Sequence, residues 1–407
     1  MAVKEHKQPV GMPGVKKFAG LFASSAFTFV LIMGVVNFFS DMTYEGASSI
    51  NGPFLKNLGA SAAVIGIISG VGEFLGYSLR FVSGYISDKT GKYWIVTFVG
   101  YIINLLAVPA LALSGNLPMA AGLVIAERVG RAIRKPSVEA MLSYTTNELG
   151  KGWVYGFNTS LDQLGATVGP LLIALVLFLK GDFRTGYSLL LISALLAIGI
   201  LALARHFFPH PTQLEEKSAA KQKKFIPTYW LYMLAGAFVA AGLISFELIS
   251  YHFSKTATVN EHLIPVFFAL AMGTNAIASL IFGRLFDRIG ILIVLIAFFL
   301  SAFFAPLVFL GNFAIALAGM VLWGIGLGAQ DTLLKALIAG VMPKGKRNLA
   351  FGLFYLGYGS GWLIGSIATG FIYERSLPLM VAFSVVSQLI ALPIFFIAQK
   401  KLPNAAQ

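Results

Sequence analysis

The stretch AERVGRAIRKPSVEAM sets Glu127, Arg128, Arg131, Arg134 and Lys135 on successive turns of one segment, flanked by the apolar LPMAAGLVIA and by MLSYTT. At 100° per residue these side chains fall within an arc of about 120°, so a single helix face carries them all. An isolated charge at mid-bilayer would cost roughly 2.5 kcal/mol or more on insertion scales. The face must therefore line a polar cavity or meet carboxylates on neighbouring helices.

Other polar residues repeat the pattern. Asn37, Asp41 and Glu45 follow one another at four-residue steps with Tyr44 adjacent, and Glu73, Tyr77 and Arg80 share a face of the next segment. Further on, Asp162 shares a face with Asn158, Gly165 and Gly169. Burial disfavours a charged carboxylate and a neighbouring arginine favours it, so a motion that breaks such a pair changes proton affinity. Asp41, Glu45, Glu73, Arg80, Glu127 and Asp162 are the expected coupling network. Within the spans of this half, Asp41, Glu45, Glu73, Glu127, Glu139 and Asp162 face Arg80, Arg128, Arg131, Arg134 and Lys135, six acids against five bases. Internal pairing is the favoured reading, with Asp162 as partner of a fourth-segment arginine. Arg131, at the centre of the face, is the expected exception, because a guanidinium fork suits a carboxylate or phosphate. The expected solute cavity comprises Asn37, Arg128, Arg131, Arg134, Asn158, Glu247, Asn275, Gln330, Asp331, Tyr355 and Tyr358. The carboxyl half is poorer in charge and supplies an aromatic wall that includes Trp323.

These residues sit in a chain with 57% hydrophobic and 12% charged residues and a mean hydropathy of +0.80, the composition of an integral membrane protein. Twelve apolar candidate spans run between residues 20 and 399, without the alternation of a membrane barrel. The reading is a 1–19 cytoplasmic tail, a 20–207 six-helix bundle, a 208–226 cytoplasmic linker, a 227–400 six-helix bundle and a 401–407 tail. Most of the 30 Lys and Arg fall on the side that holds the amino terminus. By the positive-inside rule this places both termini in the cytoplasm and explains the net charge of +13 without nucleic acid. The chain has no cysteine, hence no disulfide or thiolate metal site. Neither a phosphate-binding loop, a metal triad nor a nucleophile elbow occurs, so no enzyme, cofactor or metal is expected. His252 reads as an ordinary interfacial histidine.

The halves repeat each other. GYISDKTG, Gly84 to Gly91, has its counterpart in GRLFDRIG, Gly283 to Gly290, and Gly156, Gly165 and Gly169 recur 196 residues later as Gly352, Gly361 and Gly365. Two copies of G-x-x-x-D-(R/K)-x-G in a twelve-span chain resemble the major facilitator superfamily over roughly residues 20–400, with Lys89, Lys92 and Tyr93 where members commonly have arginines. The resemblance implies an all-α fold of twelve transmembrane helices in two pseudo-symmetric six-helix bundles. It also implies gating by Gly84, Asp88, Lys89, Gly91, Gly283, Asp287, Arg288 and Gly290. Gly156, Gly165, Gly169 and Pro170 resemble the antiporter motif of family exporters, although Ile173 and Ala174 replace its usual Gly-Gly end.

The expected function is secondary active transport by alternating access. The leading reading is a monomeric, proton-coupled exporter of a small organic solute or drug in the inner (cytoplasmic) membrane. The alternative is proton-coupled uptake of an organic anion, and a distant one is a non-transporting membrane sensor or scaffold.

Overall fold

The computed structural model describes residues 25–145, 149, 151–210, 225–341 and 347–401. The expected 1–19 tail, most of the 208–226 linker and residues 402–407 lie outside the described residues.

Twelve membrane-sized helical segments cover the described residues. In the amino half they are Ser25–Asn57, Ala62–Thr90, Tyr93–Ala110, Leu117–Ser143, Lys151–Phe178 and Phe183–Phe207, spans one to six. In the carboxyl half they are Pro227–Thr256, Glu261–Ile289, Ile291–Leu310, Phe313–Val341, Arg347–Arg375 and Leu377–Lys400, spans seven to twelve. Ten are long and apolar enough to cross a membrane on their own. The exceptions are the fourth, interrupted by its charges, and the eleventh, diluted by Gly, Ser and Tyr. These two need their neighbours, and that is where the polar interior lies.

Local chemistry sets the helix ends. Asn116 caps the fourth span by accepting from Met119 N at 2.9 Å, and Asp182 caps the sixth by accepting from Thr185 N at 2.8 Å. Both repeated octapeptides finish on a glycine with positive φ, 64° at Gly91 and 55° at Gly290. A residue with a Cβ would be strained at either turn, so the repeat has a backbone reason at its last position.

The paired glycines have a packing reason. A Cβ on Gly165 or Gly169 would collide with the carbonyls of Phe38 and Met42 in the first span. On Gly361 or Gly365 it would collide with those of Ala237 and Ala241 in the seventh. The fifth span thus approaches the first as the eleventh approaches the seventh, backbone on backbone. Between the halves, the second and eleventh spans meet through Gly66 and Gly70 near Ser366 and Leu363, and through Gly359 against Tyr77.

Two spans are interrupted at mid-depth. The seventh breaks between Gly242 and Phe246, where Leu243 and Ser245 are extended. Carbonyls freed by the break are satisfied, as a bilayer interior demands: Ser384 Oγ donates to Gly242 O at 2.6 Å and Trp323 Nε1 to Ile244 O at 3.0 Å. The tenth span contains a π-helical turn, Gln330–Leu334. Such turns displace side chains from the regular α register and are frequent at functional sites.

Candidate functional site

A cavity of about 610 Å³ lies between the halves. Its charged wall comes from the amino half. Asp41 and Glu45 reach it from the first span, Glu73 and Arg80 from the second, Arg128, Arg131, Lys135 and Glu139 from the fourth, and Asp162 from the fifth. The carboxyl half contributes Glu247 beside the helix break, Asn275, and the turn-borne Gln330 and Asp331 with Lys335. Seven carboxyl groups and five cationic side chains line this space.

Most of the arginines are committed to partners. Arg128, 4% exposed, pairs with Glu73 at 3.4 Å and with Glu247 across the interface, and its Nη1 donates to Ser69 O at 2.8 Å. Arg131 lies 3.7 Å from Glu73 and 3.5 Å from Glu127, with its guanidinium 4.5 Å from the centre of the Tyr44 ring. Arg134 reaches Asp41 at 3.7 Å, donates to Asn104 Oδ1 at 3.1 Å and lies over Tyr101 at 4.4 Å. Asn104 in turn donates to Glu127 at 2.8 Å, which closes a buried circuit between the third and fourth spans. Arg131, expected as the exception, is paired here like its neighbours.

Several expectations are corrected. Asp162 pairs with no fourth-span arginine, and its Oδ1 is buried without a hydrogen-bond partner. Arg80 makes no ion pair with Glu73; it lies over Tyr77 at 4.8 Å and Tyr355 at 5.4 Å, with Nε unpartnered. Asn37, Arg134 and Asn158 do not line the cavity. They are buried behind it, where Tyr101 OH donates to Asn37 Oδ1 at 2.8 Å and Asn37 donates to Asn158 at 3.4 Å. Glu127 belongs to the same second layer. These residues sit one turn or less from the lining ones, and periodicity alone does not separate a cavity face from the layer that braces it. His252, near the end of the seventh span, is buried within the protein, with Nδ1 2.9 Å from Tyr373 OH.

The sequence reading did not single out Gln163, Phe246, Phe268 or Trp362, all of which line the cavity. Trp362 follows the lining Tyr358 by four positions and was legible by helical spacing, whereas Gln163, one position after Asp162, was not. Phe246 and Phe268 were not, because apolar side chains in apolar spans carry no signal of which way they face.

The cavity is closed on one side only. On the side remote from the start of the first span, Lys56 Nζ donates to Ser254 O at 2.8 Å, Ala63 N donates to Glu374 Oε1 at 2.9 Å, and the Arg128–Glu247 pair lies across the seam. Toward the other side, side-chain exposure rises from 5% at Arg128 to 44% at Asp331 and Lys335, which pair at 3.6 Å. Along that side, Lys89 lies 5.8 Å from the Tyr85 ring and Asp287 makes no ion pair among the described residues. The side chain of Asp88 and the surroundings of Gly156 lie outside the described residues.

Two six-span halves, a polar space between them and interrupted helices beside it are the architecture of a membrane transporter. The family model of the Major Facilitator Superfamily matches residues 30–366 and 248–406, and the chain belongs to that family. It is 32% identical over 392 residues to the uncharacterized protein Rv2265 of Mycobacterium tuberculosis, a match that covers 94% of this chain and 95% of that one. It is 26% identical to the uncharacterized MFS-type transporter MJ1317 of Methanocaldococcus jannaschii, over 85% of this chain and 89% of the other. Its fold is similar to the crystal structure of the nucleoside transporter NupG, with a TM-score of 0.71 at 11% identity, over 92% of this chain and all of that one.

Proposed function

We propose that the protein is a proton-coupled antiporter that exports a small organic solute. The observation that carries this reading is the surplus of acid in the cavity. Glu45 and Asp162 face the space with no basic partner within ion-pair distance among the described residues, while Asp41, Glu73 and Glu247 each have an arginine. A carboxylate held away from bulk water needs a counter-charge, and with no basic side chain in ion-pair contact a proton or a passing solute can supply it. If the two compete for the same carboxyls, each turn of the cycle exchanges one for the other, which is antiport. Asp41, Glu73, Arg80 and Glu127 complete the network that senses the exchange.

The antiporter-like glycines add nothing to this direction, because Gly361 and Gly365 repeat their packing in the other half. Uptake of an organic anion is the second reading, favoured by Arg80 and Lys135, which line the cavity without an ion pair among the described residues. Seven carboxyls against five cations weigh against it.

In this reading the start of the first span is cytoplasmic, the protein lies in the inner membrane with both termini inside, it works as a monomer, and the structure is the inward-open state. Closure on the inside uses Asp88 and Asp287 as latches. The test is purified protein in proteoliposomes under an imposed pH gradient, screened for solutes that collapse the gradient. Solute-dependent proton flux that disappears in Glu45→Gln or Asp162→Asn supports the reading. Solute flux with no accompanying proton movement overturns it.

A further inference from the structure

The two walls of the cavity differ in kind. On the amino-half side, the faces of Tyr44 and Tyr77 are already covered by Arg131 and Arg80. On the carboxyl-half side, Phe246, Phe268 and Trp323 form a cluster with centroids 4.4 to 6.1 Å apart, and none carries a cation over its face among the described residues. Tyr358 and Trp362, 6.1 Å apart, continue this wall, and the Tyr358 hydroxyl and Trp362 Nε1 are buried without hydrogen-bond partners. Both residues are more than nine-tenths buried, yet both line the cavity. Gln330 Oε1, raised into the space by the π turn, is unpartnered as well.

Opposite stand Glu45 and Asp162. Glu45 lies among Arg131, Asp41, Glu127 and Glu73, and Asp162 among Asp41, Lys135, Arg134 and Glu139. Counted with these neighbours, the acids Asp41, Glu45, Glu73, Glu127, Glu139 and Asp162 outnumber the bases Arg131, Arg134 and Lys135, six to three. A solute that fills this space has to bring positive charge to one wall and flat apolar surface to the other. A ring face also attracts a cation directly, so the aromatic wall favours the same sign.

We infer that the transported solute is an organic cation with an aryl or similarly flat apolar part. Its charge is held by Glu45 and Asp162, and its flat part lies against Phe246, Phe268, Trp323, Tyr358 and Trp362. This rests on the antiport reading and narrows it. An amide or hydroxyl on the solute would satisfy Gln330, Tyr358 and Trp362, since buried polar groups left open strongly discriminate among ligands.

Tetraphenylphosphonium and tetraphenylborate share a shape and differ in sign, so they isolate the charge, and tetramethylammonium carries the charge without rings. Binding of each to the purified full-length protein is read by equilibrium dialysis and by the rise in melting temperature. The expected result is saturable binding of the phosphonium at least tenfold tighter than of either other ion. That preference should fall by tenfold or more in Glu45→Gln/Asp162→Asn and weaken in Trp362→Leu. Equal or tighter binding of the borate overturns the inference, and because that comparison uses the wild-type chain it stands even if the variants fold poorly. Undiminished phosphonium binding in a folded double variant overturns it too. Protons released on binding, followed with a pH indicator in weak buffer, separate the two readings. Saturable phosphonium binding without proton release keeps the solute class and sinks antiport. Proton uptake by the ligand-free protein that is lost in the double variant, with no phosphonium binding, keeps the coupling carboxyls and sinks the class.

Discussion

Arg128 of the fourth span and Glu247 of the seventh form the single ion pair that joins the two halves among the described residues. The pair exists because the seventh span breaks. Once Gly242 to Ser245 leave the helix, Glu247 falls in the first turn of the second segment, Phe246–Thr256, where a helix amino terminus favours its charge. Ser69 ties the same site to the second span by donating to Glu247 at 3.4 Å. Opening the far side requires this pair to separate or to move as a unit with one half.

Removing one member should therefore be costly and removing both less so. Arg128→Met leaves Glu247 buried without its cation and leaves Glu73 with Arg131 alone, and is expected to destabilise the protein by about 3–5 kcal/mol. Glu247→Gln should cost less, because Arg128 keeps Glu73. Unfolding of the single and double variants in detergent checks the coupling, and strict additivity of the two effects would show that the pair is not linked.

The glycine repeat makes a symmetric prediction. Gly169→Val and Gly365→Val should lower the melting temperature by similar amounts, since each forces a side chain into the carbonyls of a neighbouring span. A large loss of transport from Gly169→Val with unchanged stability would instead restore a specific antiport role for the motif.

Sequence reading located the charged faces well and their partners poorly. Helical period placed Arg128, Arg131 and Arg134 on one face, and charge balance foretold that they would be paired. Neither could say that Arg128 reaches across to Glu247, because that depends on a helix break whose only trace is the unremarkable LISFE. The octapeptides and glycines were legible because backbone geometry dictates them. The carbonyl contacts that require glycine became visible only once the first span was placed against the fifth.

Latch variants should separate motion from folding. Asp88→Asn and Asp287→Asn are expected to slow transport at least tenfold while expression and thermal stability stay near wild type, as measured in proteoliposomes and by detergent unfolding. Near-normal turnover in both would remove the latch role.

The coupling carboxyls have their own signature. Glu45→Gln and Asp162→Asn should abolish accumulation driven by a pH gradient while leaving solute exchange across the membrane. If both variants still concentrate solute against its gradient, the coupling proton binds elsewhere.

The central claim is that protonation of cavity carboxyls drives the halves between two states, and the cysteine-free chain is a ready background for measuring it. Spin labels at Asn57→Cys and Thr256→Cys report the far side, and labels at Thr90→Cys and Ile289→Cys report the near side. Pulsed dipolar distances in lipid should show two populations for each pair. Changing pH should lengthen one pair as it shortens the other, and Glu45→Gln with Asp162→Asn should freeze the ratio. A single distance for each pair, unchanged by pH, would contradict the account.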